Sequence, residues 1–559
     1  MNAPIPAPRA ILPDGRRVAA GWDLGRPGDL ARFVRAAAER RGPWRAAPIV
    51  DGIEPGGRRI ADDGPRSGAR RAPPPTACAP RTVFSPADRR RAIGEVLDAD
   101  ASTVAVAMRV ALDAFPDWSR RDADARAAYL DAWADALEAD VDELVARCVH
   151  EAGKTLADAI ADVREAVDFC RFYAAEARRL FAAPMRLPGP TGERNELSLA
   201  GRGPFACIAP WNFPVAIFVG QAAAALAAGD VVLAKPAPQT PLAAHRTVEL
   251  ALRAGVPPGA LALLPGGAEV GDALVGARGL AGVAFTGSNA TAKRIQRRLA
   301  DAHDAILPLI AETGGVNAMI VDSTALPEQV TDAVVASAFR SAGQRCSALR
   351  VLALQDEIAE AQLAMIRDAM ATLLPGDPAD PATDLGPVID AAARDALERH
   401  VEAMRAAGHA VERLPLPADC VHGHFVAPTI VTLDTIAQLP GERFGPILHV
   451  VRWPRDGLPA LLREIAATGH GLTMGLHTRL DARIELVRRE ARVGNLYVNR
   501  NIVGAVVGVQ PFGGEGLSGT GPKAGGPWTL HRFATERCFT ENTAAAGGDV
   551  ALIAGASRG

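Results

Sequence analysis

Short apolar segments alternate with helix-like segments between residues 205 and 312, and this alternation constrains the fold more than any other feature. The apolar segments are FACIAP, VVLAKP, LALLPG, GVAFTG and AILPLIAE. The intervening text starts a helix at Thr240 and Pro241 and ends helices at Gly229 and Gly255, which are usual start and stop residues. Strands that alternate with helices predict a doubly wound parallel sheet with helices on both faces.

A second α/β series follows from about Asn317. It contains AMIVD as a strand, residues 327–342 as a helix, LRVLAL as a strand, and further pairs up to GNLYVN at 494–499. Two doubly wound units in series imply a cleft between them, and ligands of such sheets bind at the carboxyl ends of the strands. We therefore predict the α/β class with two doubly wound parallel-sheet domains.

Changes in composition and periodicity set the predicted domain boundaries. Residues 54–80 are rich in Gly, Pro and Arg, which is typical of a linker, and the folded body is expected from about Thr82. Turn residues and a short alternating run at 185–203 predict a protruding hairpin. The predicted parts are an N-terminal extension and linker (1–82), a first domain that includes the hairpin (83–311), a second domain (312–506), and a C-terminal return and oligomerisation segment (507–559).

Composition excludes several classes of function. The 559 residues carry a formal net charge of −3, with acids and bases dispersed along the chain, which argues against nucleic acid or an anionic membrane as a partner. No apolar run reaches the length of about 18 residues that a membrane span needs. The seven cysteines form no CxxC pair and no zinc-like spacing, so we expect no metal, reduced thiols and a cytoplasmic protein. Small molecules are the expected partners.

Polar residues follow the predicted strands of the first sheet and share its carboxyl edge. They are Asn212, Lys235, Thr286, Gly287 and Glu312. Cys346 lies in the turn between a helix that ends at Gly343 and the strand LRVLAL, so it is expected to face the same cleft. Each has an ordinary alternative: a lone cysteine is most often a core residue, an asparagine often forms an Asx turn, and a charged residue is often solvated.

Three of these residues suit attack on a carbonyl carbon. A Cys346 thiolate is a nucleophile, the Asn212 amide and the Cys346 backbone N–H suit an oxyanion, and Glu312 suits activation of a water that releases the acyl group. A cysteine hydrolase normally needs a histidine partner for its thiol, and none of the eleven histidines lies in these motifs.

The motifs PWNFP, KPAPQTP, FTGS, AETGG, GQRCS and ERFGP occur in this order. The set resembles the signature of the aldehyde dehydrogenase superfamily, and the separation of Glu312 from Cys346 fits that of its base and nucleophile. The resemblance implies a thiohemiacetal on Cys346, hydride transfer to a nicotinamide cofactor, and hydrolysis of a thioester.

Longer segments carry a closer resemblance. EAGKTLADAIADVREAVDFCRFYAAEA, LPGPTGERNEL and GAVVGVQPFGGEGLSGTGPKAGGP are similar to the L-glutamate γ-semialdehyde (1-pyrroline-5-carboxylate) dehydrogenase module of proline utilization A proteins. The likeness implies oxidation of L-glutamate γ-semialdehyde to L-glutamate, the second step of proline catabolism. It also implies a homo-oligomer and a functional partnership with a proline dehydrogenase, whose barrel precedes the module in those proteins and has no room in these 559 residues.

The resemblance also implies a cofactor site. Lys235 would hold the adenosine ribose, Ser288 would cap the helix that receives the pyrophosphate, and Glu442 with Phe444 would hold the nicotinamide ribose and ring. Trp211, Thr286 and Gly287 complete the implied set. Many NAD-using members carry a glutamate three residues after this lysine, where this chain has Pro238. NAD is therefore expected, and NADP stays open.

For the substrate carboxylate, the resemblance points to Ser347 and to the backbone of Gly504 and Ala505. A hydroxyl and glycine-loop N–H groups are suitable donors to an anion, although a plain glycine-rich turn is the simpler interpretation of that loop. Three other functions remain open, namely another semialdehyde dehydrogenase, a thiol hydrolase and a catalytically silent relative.

Overall fold

The computed structural model describes residues 12, 15–60, 79–189 and 193–542. The first part of the chain is mainly helical. Its elements are α1 (Pro27–Glu39), β1 (Trp44–Ala46), β2 (Arg81–Phe84), β3 (Ala92–Val96), α2 (Ala101–Ser119), α3 (Ala123–Ala139), α4 (Val141–Ala152) and α5 (Leu156–Phe181). Strands β1, β3 and β2 form a small sheet in that order.

The first doubly wound unit contains a five-stranded parallel sheet. Its elements, with the short strands that precede it, are β4 (Met185–Leu187), β5 (Arg194–Gly201), β6 (Pro204–Ile208), α6 (Ala216–Ala228), β7 (Val231–Lys235), α7 (Pro241–Arg253), β8 (Leu261–Leu263), α8 (Ala268–Val275), β9 (Gly282–Gly287), α9 (Asn289–Ala302) and β10 (Leu309–Thr313). The strand order is β10-β9-β6-β7-β8, so the connections reverse direction between β6 and β9. A cleft opens at the carboxyl ends of strands at such a reversal.

The second unit contains a seven-stranded sheet. Its elements are β11 (Asn317–Val321), α10 (Pro327–Phe339), β12 (Leu349–Gln355), α11 (Asp356–Ala371), α12 (Ala391–Ala406), β13 (Val411–Arg413), β14 (Thr429–Thr432), β15 (Ile447–Trp453), α13 (Leu458–Ala467), β16 (His470–Gly471), β17 (Thr473–His477), α14 (Asp481–Glu490) and β18 (Asn495–Val498). The order is β13-β14-β15-β12-β11-β17-β18, and only β13 runs antiparallel. The predicted fold class of two parallel-sheet units is confirmed.

The final segment of the chain returns to the first unit. It contains β19 (Glu515–Gly516), α15 (Thr529–Phe533) and β20 (Ala534–Glu541). β20 pairs with β5 along its whole length, and β5 also pairs with β4. The predicted hairpin at 185–203 is thus part of a three-stranded antiparallel sheet, whose role in oligomerisation stays a prediction.

The N-terminal segment differs from the expectation that the folded body begins near Thr82. Residues 15–60 pack on the first unit: β1 pairs with β3, and Ile49 forms a bridge with Leu263. Phe33 and Ile49 are fully buried. The Gly- and Pro-rich composition of 54–80 suggested a linker, but most of that stretch, 61–78, lies outside the described residues. Residues 15–60, which precede this stretch, carry the amphipathic helix α1, whose apolar face is covered only when the protein folds.

Two structural features bear on the expected setting. Among the residues that the structure describes, no helix combines the length and the apolar character needed to cross a membrane. The described cysteines, Cys148, Cys170, Cys207, Cys346, Cys420 and Cys538, form no disulfide, and Cys78 lies outside the described residues.

Candidate active site

The predicted polar residues lie along one edge of the five-stranded sheet. Ile208 on β6 is in register with Lys235 on β7 and with Phe285 on β9, and Thr286 is in register with Glu312 on β10. Parallel strands in this register end at the same edge. Lys235, Thr286 and Glu312 therefore share the edge that faces the second unit, as the sequence predicted.

Cys346 lies in a loop with an unusual backbone. The loop follows α10 through a 3₁₀ turn at Arg340–Gly343 and leads into β12. Three successive residues adopt the left-handed conformation: Ser341 (φ 55°), Ala342 (φ 51°) and Gly343 (φ 66°). This conformation costs on the order of 1 kcal/mol or more for each residue other than glycine, so the surrounding structure must hold the loop in place.

Asp158 on α5 holds that loop. Its carboxylate accepts a hydrogen bond from the Ser341 hydroxyl at 2.7 Å and another from the Arg345 guanidinium at 2.6 Å. Burial alone would raise the pKa of Asp158, but the cations Arg345 and Lys154 and the Ser341 hydroxyl together lower it to about 2. A buried carboxylate with these partners stays charged and ties the residue before Cys346 to a distant helix.

The Asn212 amide is fixed next to the nucleophile. Its Nδ2 donates to the backbone carbonyl of Gln344 at 3.0 Å, and the backbone carbonyl of Asn212 accepts from Lys154 at 2.8 Å. Lys154 in turn pairs with buried Asp162 at 3.3 Å. The second N–H of Asn212 and the backbone N–H of Cys346, which donates to none of the described residues, are thus available for an oxyanion.

Asn317 fixes the other side of the loop and was missed by the sequence analysis. Its Nδ2 donates to the carbonyls of Cys346 at 2.7 Å and Ala348 at 2.8 Å. The only signal for this role in the sequence was that Asn317, a polar residue, begins a buried strand. These two bonds orient the peptide group between Cys346 and Ser347 and the one that follows Ala348.

Three carboxylates surround the thiol. Burial, together with the charges of Glu312, Glu442 and Glu165, raises the pKa of Cys346 to about 12, while the N–H of Ser347 acts against this rise. The thiol is therefore protonated at neutral pH in the absence of a cation. Glu165 was also missed, because on amphipathic α5 it resembles an ordinary surface acid.

Glu312 has one occupied and one open carboxylate oxygen. Oε2 accepts from the N–H of Gly514 at 3.3 Å, while Oε1 is buried and has no partner among the described residues. Burial raises the pKa of Glu312 well above its usual range, and the Gly514 N–H and the charge of Lys523 act against that rise. Any side chain at Gly513 would overlap Oε1. A carboxylate with a raised pKa and a free oxygen is suited to take a proton from water.

A cavity of about 240 Å³ lies at the ends of β6 and β7, where Ile208 and Lys235 line it. Lys235, Pro238, Gly271, Thr291 and Arg294 are among its lining residues. Lys235 is buried, donates to the carbonyl of its neighbour Pro236 at 3.2 Å, and has its pKa lowered by burial to about 8.

The first turn of α9 opens toward the same edge. Ser288 caps this helix by accepting the N–H of Thr291 at 3.3 Å, as its position in the sequence indicated. The Thr286 hydroxyl accepts from Gln221 at 3.0 Å, and a side chain at Gly287 would overlap Phe285. A capped helix N-terminus presents free N–H groups to a bound phosphate.

Glu442 and Phe444 complete the cleft on the side of the second unit. The Phe444 ring meets the Trp211 ring edge to face, with centroids 5.5 Å apart. Glu442 accepts from Arg350 at 3.4 Å, and burial raises its pKa. A side chain at Gly314 would overlap the Glu442 carboxylate, so this glycine in AETGG keeps the cleft open.

The predicted substrate donors are unpaired among the described residues. The Ser347 side chain is buried next to the nucleophile and its hydroxyl makes no hydrogen bond to any residue in the described ranges. Gly504 (φ 81°) and Ala505 follow β18, and neither N–H has an acceptor there. Tyr497 on β18 interacts electrostatically with Cys346, which places the strand that leads into this loop next to the thiol.

Comparison with known proteins agrees with this geometry. The model of the aldehyde dehydrogenase family matches residues 76–538, which is more than half of the chain. The chain belongs to the aldehyde dehydrogenase family.

Two curated relatives are similar over most of this chain. The bifunctional protein PutA of Escherichia coli (strain K12) is 48% identical over 543 residues, which are 95% of this chain and 39% of the relative. The 1-pyrroline-5-carboxylate dehydrogenase of Geobacillus kaustophilus (strain HTA426) is 38% identical over 451 residues, which are 79% of this chain and 86% of the relative. The chain thus spans less than half the length of the PutA relatives that it matches.

Solved structures of both kinds of protein superpose on the chain. A crystal structure of bifunctional proline utilization A is 45% identical, with a TM-score of 0.85 over 98% of this chain and 50% of that chain. A structure of 1-pyrroline-5-carboxylate dehydrogenase is 32% identical, with a TM-score of 0.84 over 94% of this chain and 98% of that chain.

Proposed function

We propose that the protein oxidises L-glutamate γ-semialdehyde to L-glutamate, with NAD(P) as the hydride acceptor. The observation that carries this proposal is a set of donors without partners among the described residues, the Ser347 hydroxyl beside Cys346 and the N–H groups of Gly504 and Ala505, together with Glu165, whose charge acts on Cys346. The substrate has a carboxylate and an ammonium group at one end and an aldehyde at the other. The names of the relatives support the same substrate.

The chain's own residues account for the carbon chemistry. The Cys346 thiolate attacks the aldehyde carbon, and Asn212 with the Cys346 N–H stabilises the oxyanion of the thiohemiacetal. A nicotinamide cofactor held by Glu442 and Phe444 would supply the acceptor for the hydride of this carbon, and its loss would leave a thioester on Cys346. Glu312 then takes a proton from a water molecule, whose oxygen attacks the thioester and releases the carboxylate product.

Aldehyde dehydrogenases use NAD(P), and the residues at the carboxyl edge of the first sheet fit such a cofactor. Lys235 suits the adenosine ribose, the N-terminus of α9 capped by Ser288 and the Thr286–Gly287 corner suit the pyrophosphate, and the pair Glu442 and Phe444 with Trp211 suits the nicotinamide riboside. NAD is our expected cofactor. NADP remains the alternative, because Pro238 carries no carboxylate and Arg294 adds a positive charge to the cavity that Lys235 and Asp272 also line.

The relatives also suggest a cellular role. We propose that the protein performs the second step of proline catabolism in the cytoplasm, as a homo-oligomer and in partnership with a proline dehydrogenase. Another semialdehyde dehydrogenase activity is the nearest alternative, because a loop of backbone donors also accepts acid groups on shorter or longer chains. A thiol hydrolase is disfavoured because no histidine lies in the motifs that carry Asn212, Glu312 and Cys346.

Comparing two aldehydes tests the substrate. We expect kcat/KM for L-glutamate γ-semialdehyde to exceed that for pentanal by roughly a hundredfold, because an alkyl aldehyde leaves the buried Ser347 hydroxyl unpaired, at about 1–3 kcal/mol, and makes no hydrogen bonds to the N–H groups of Gly504 and Ala505. Ser347→Ala should raise KM for the semialdehyde far more than for pentanal. Ser323→Ala, at an exposed serine, is the matched control and should change neither.

The same assay separates the alternatives. Equal efficiency with both aldehydes would retain the aldehyde dehydrogenase chemistry and reject the proposed substrate. A higher efficiency with aspartate semialdehyde or succinate semialdehyde would assign the protein to another semialdehyde. Absence of any reduced nicotinamide, measured by its absorbance, would reject the oxidoreductase and leave a hydrolase or a silent relative.

A further inference from the structure

Arg16, in the N-terminal segment, contacts the loop that carries Gly504 and Ala505. Its Nη2 donates to the carbonyl of Val507 at 3.2 Å, and its guanidinium carbon lies 5.1 Å from the centre of the Phe172 ring on α5. Arg16 is 8% exposed. Arg16 is therefore buried against the loop proposed to bind the substrate carboxylate, although almost 500 residues separate the two in the sequence.

The backbone beside Arg16 is attached firmly to α5 and α3. The N–H of Ala19 donates to Asp168 at 2.7 Å, the carbonyl of Val18 accepts from Arg171 at 3.0 Å, and the N–H of Ala20 donates to Glu138. These bonds fix the backbone beside Arg16. The contacts of its guanidinium with the Val507 carbonyl and the Phe172 ring then define the position of the side chain.

The loop is held mainly at its later end. The N–H of Gly508 donates to Gly525 at 2.9 Å, and the N–H groups of Val509 and Gln510 donate to the carbonyl of Val506. Next to Ala505, the N–H of Val506 donates to Gln510 Oε1 at 3.1 Å within the loop, and the bond from Arg16 to Val507 holds the following residue from outside the loop. Gly508 adopts φ 77°, and a Cβ there would lie 2.5 Å from Arg16 Nη2, so the loop and the guanidinium are closely fitted.

We propose that Arg16 is a positioning residue for the substrate carboxylate. By binding the Val507 carbonyl it orients the preceding peptide groups, so that the N–H groups of Gly504 and Ala505 face the anionic end of the substrate. This inference rests on the proposed function, because an uncharged aldehyde does not use these donors.

Substitution of two adjacent arginines tests the role. Arg16→Ala should raise KM for L-glutamate γ-semialdehyde about tenfold and leave kcat, the KM for pentanal and the Kd for NAD nearly unchanged. Arg16→Lys retains the charge but not the fixed geometry and should give a smaller increase. Arg17→Ala removes a half-exposed arginine that pairs with Asp135 at 2.6 Å, and it should change none of these quantities.

A second variant removes the same contact with a smaller loss of packing. Arg16→Met retains an unbranched side chain against the Phe172 ring but neither the charge nor the donor to the Val507 carbonyl, so it should give the same selective rise in KM, which supports the proposal even if Arg16→Ala does not fold. Equal losses with both aldehydes in either folded variant, or an unchanged KM for the semialdehyde, would overturn it. If the wild type does not discriminate between the aldehydes, the proposed function fails; discrimination that survives both substitutions rejects only the role of Arg16.

Discussion

The two sides of the cleft are built differently. The cofactor side uses consecutive strand ends of one sheet: Lys235 ends β7, Gly287 ends β9, and Ser288 caps the helix that follows. The nucleophile side is assembled from distant segments, because Asp158 on α5 holds the Cys346 loop and Gly514 in the return segment binds Glu312. Substitutions on α5 or in the return segment should therefore affect the chemistry and spare cofactor binding.

Removing the nucleophile should give the largest effect on activity and leave cofactor binding on the other side of the cleft unchanged. Cys346→Ala should lower kcat at least 10⁴-fold, since the covalent pathway requires sulfur, while the Kd for NAD measured by calorimetry stays within about twofold. Cys538→Ala, at an exposed cysteine on β20, is the control and should retain full activity. Near-normal turnover of Cys346→Ala would contradict the proposed mechanism.

Releasing the strained loop should affect only the nucleophile side. Asp158→Ala removes the acceptor of Ser341 and Arg345 and should lower kcat/KM roughly 100-fold with little change in the Kd for NAD, because the left-handed residues lose their support. Asp142→Ala, which removes a partly exposed partner of Arg32, controls for loss of an ion pair. A parallel loss of cofactor binding would mean that α5 supports both sides alike.

The pH dependence of Cys346 ionisation tests the nucleophile side of the cleft separately from the cofactor side. Because burial and three carboxylates raise the pKa of Cys346 to about 12, the thiolate fraction in the cofactor-free protein should rise about tenfold per pH unit through pH 7–9. Alkylation by iodoacetamide, followed in Cys538→Ala by mass spectrometry of the Cys346 peptide, should rise with the same slope. A plateau below pH 8 would show that the thiol is already ionised there.

On the cofactor side, a single negative charge next to Lys235 should weaken the use of NADP. Pro238 is exposed in the cavity that Lys235 lines, so Pro238→Glu should lower kcat/KM with NADP about tenfold by repulsion of the 2′-phosphate and change the value with NAD little. Pro238→Gln is the neutral control for the loss of proline. An equal effect of both substitutions would attribute the change to the backbone rather than to charge.

The difference between the two sides of the cleft also explains which features of the structure the sequence predicts. Strand ends and helix caps are local signals, so the shared edge of Lys235, Thr286 and Glu312 was readable from alternation and capping residues alone. Asp158 and Glu165 lie on a helix whose acids look solvated until tertiary packing buries them. The packing of residues 15–60 was missed for a related reason, because its contacts join segments hundreds of residues apart and leave no periodic pattern.

The acyl-enzyme is the most direct test of the central claim that Cys346 and Glu312 act in succession on one aldehyde. Glu312→Gln retains the size of the side chain but cannot take a proton from water. With L-glutamate γ-semialdehyde and NAD, this variant should release one equivalent of NADH per active site and then stall. Mass spectrometry should find a glutamyl adduct on the tryptic peptide that contains Cys346. An unaltered steady-state rate without an adduct would contradict the account.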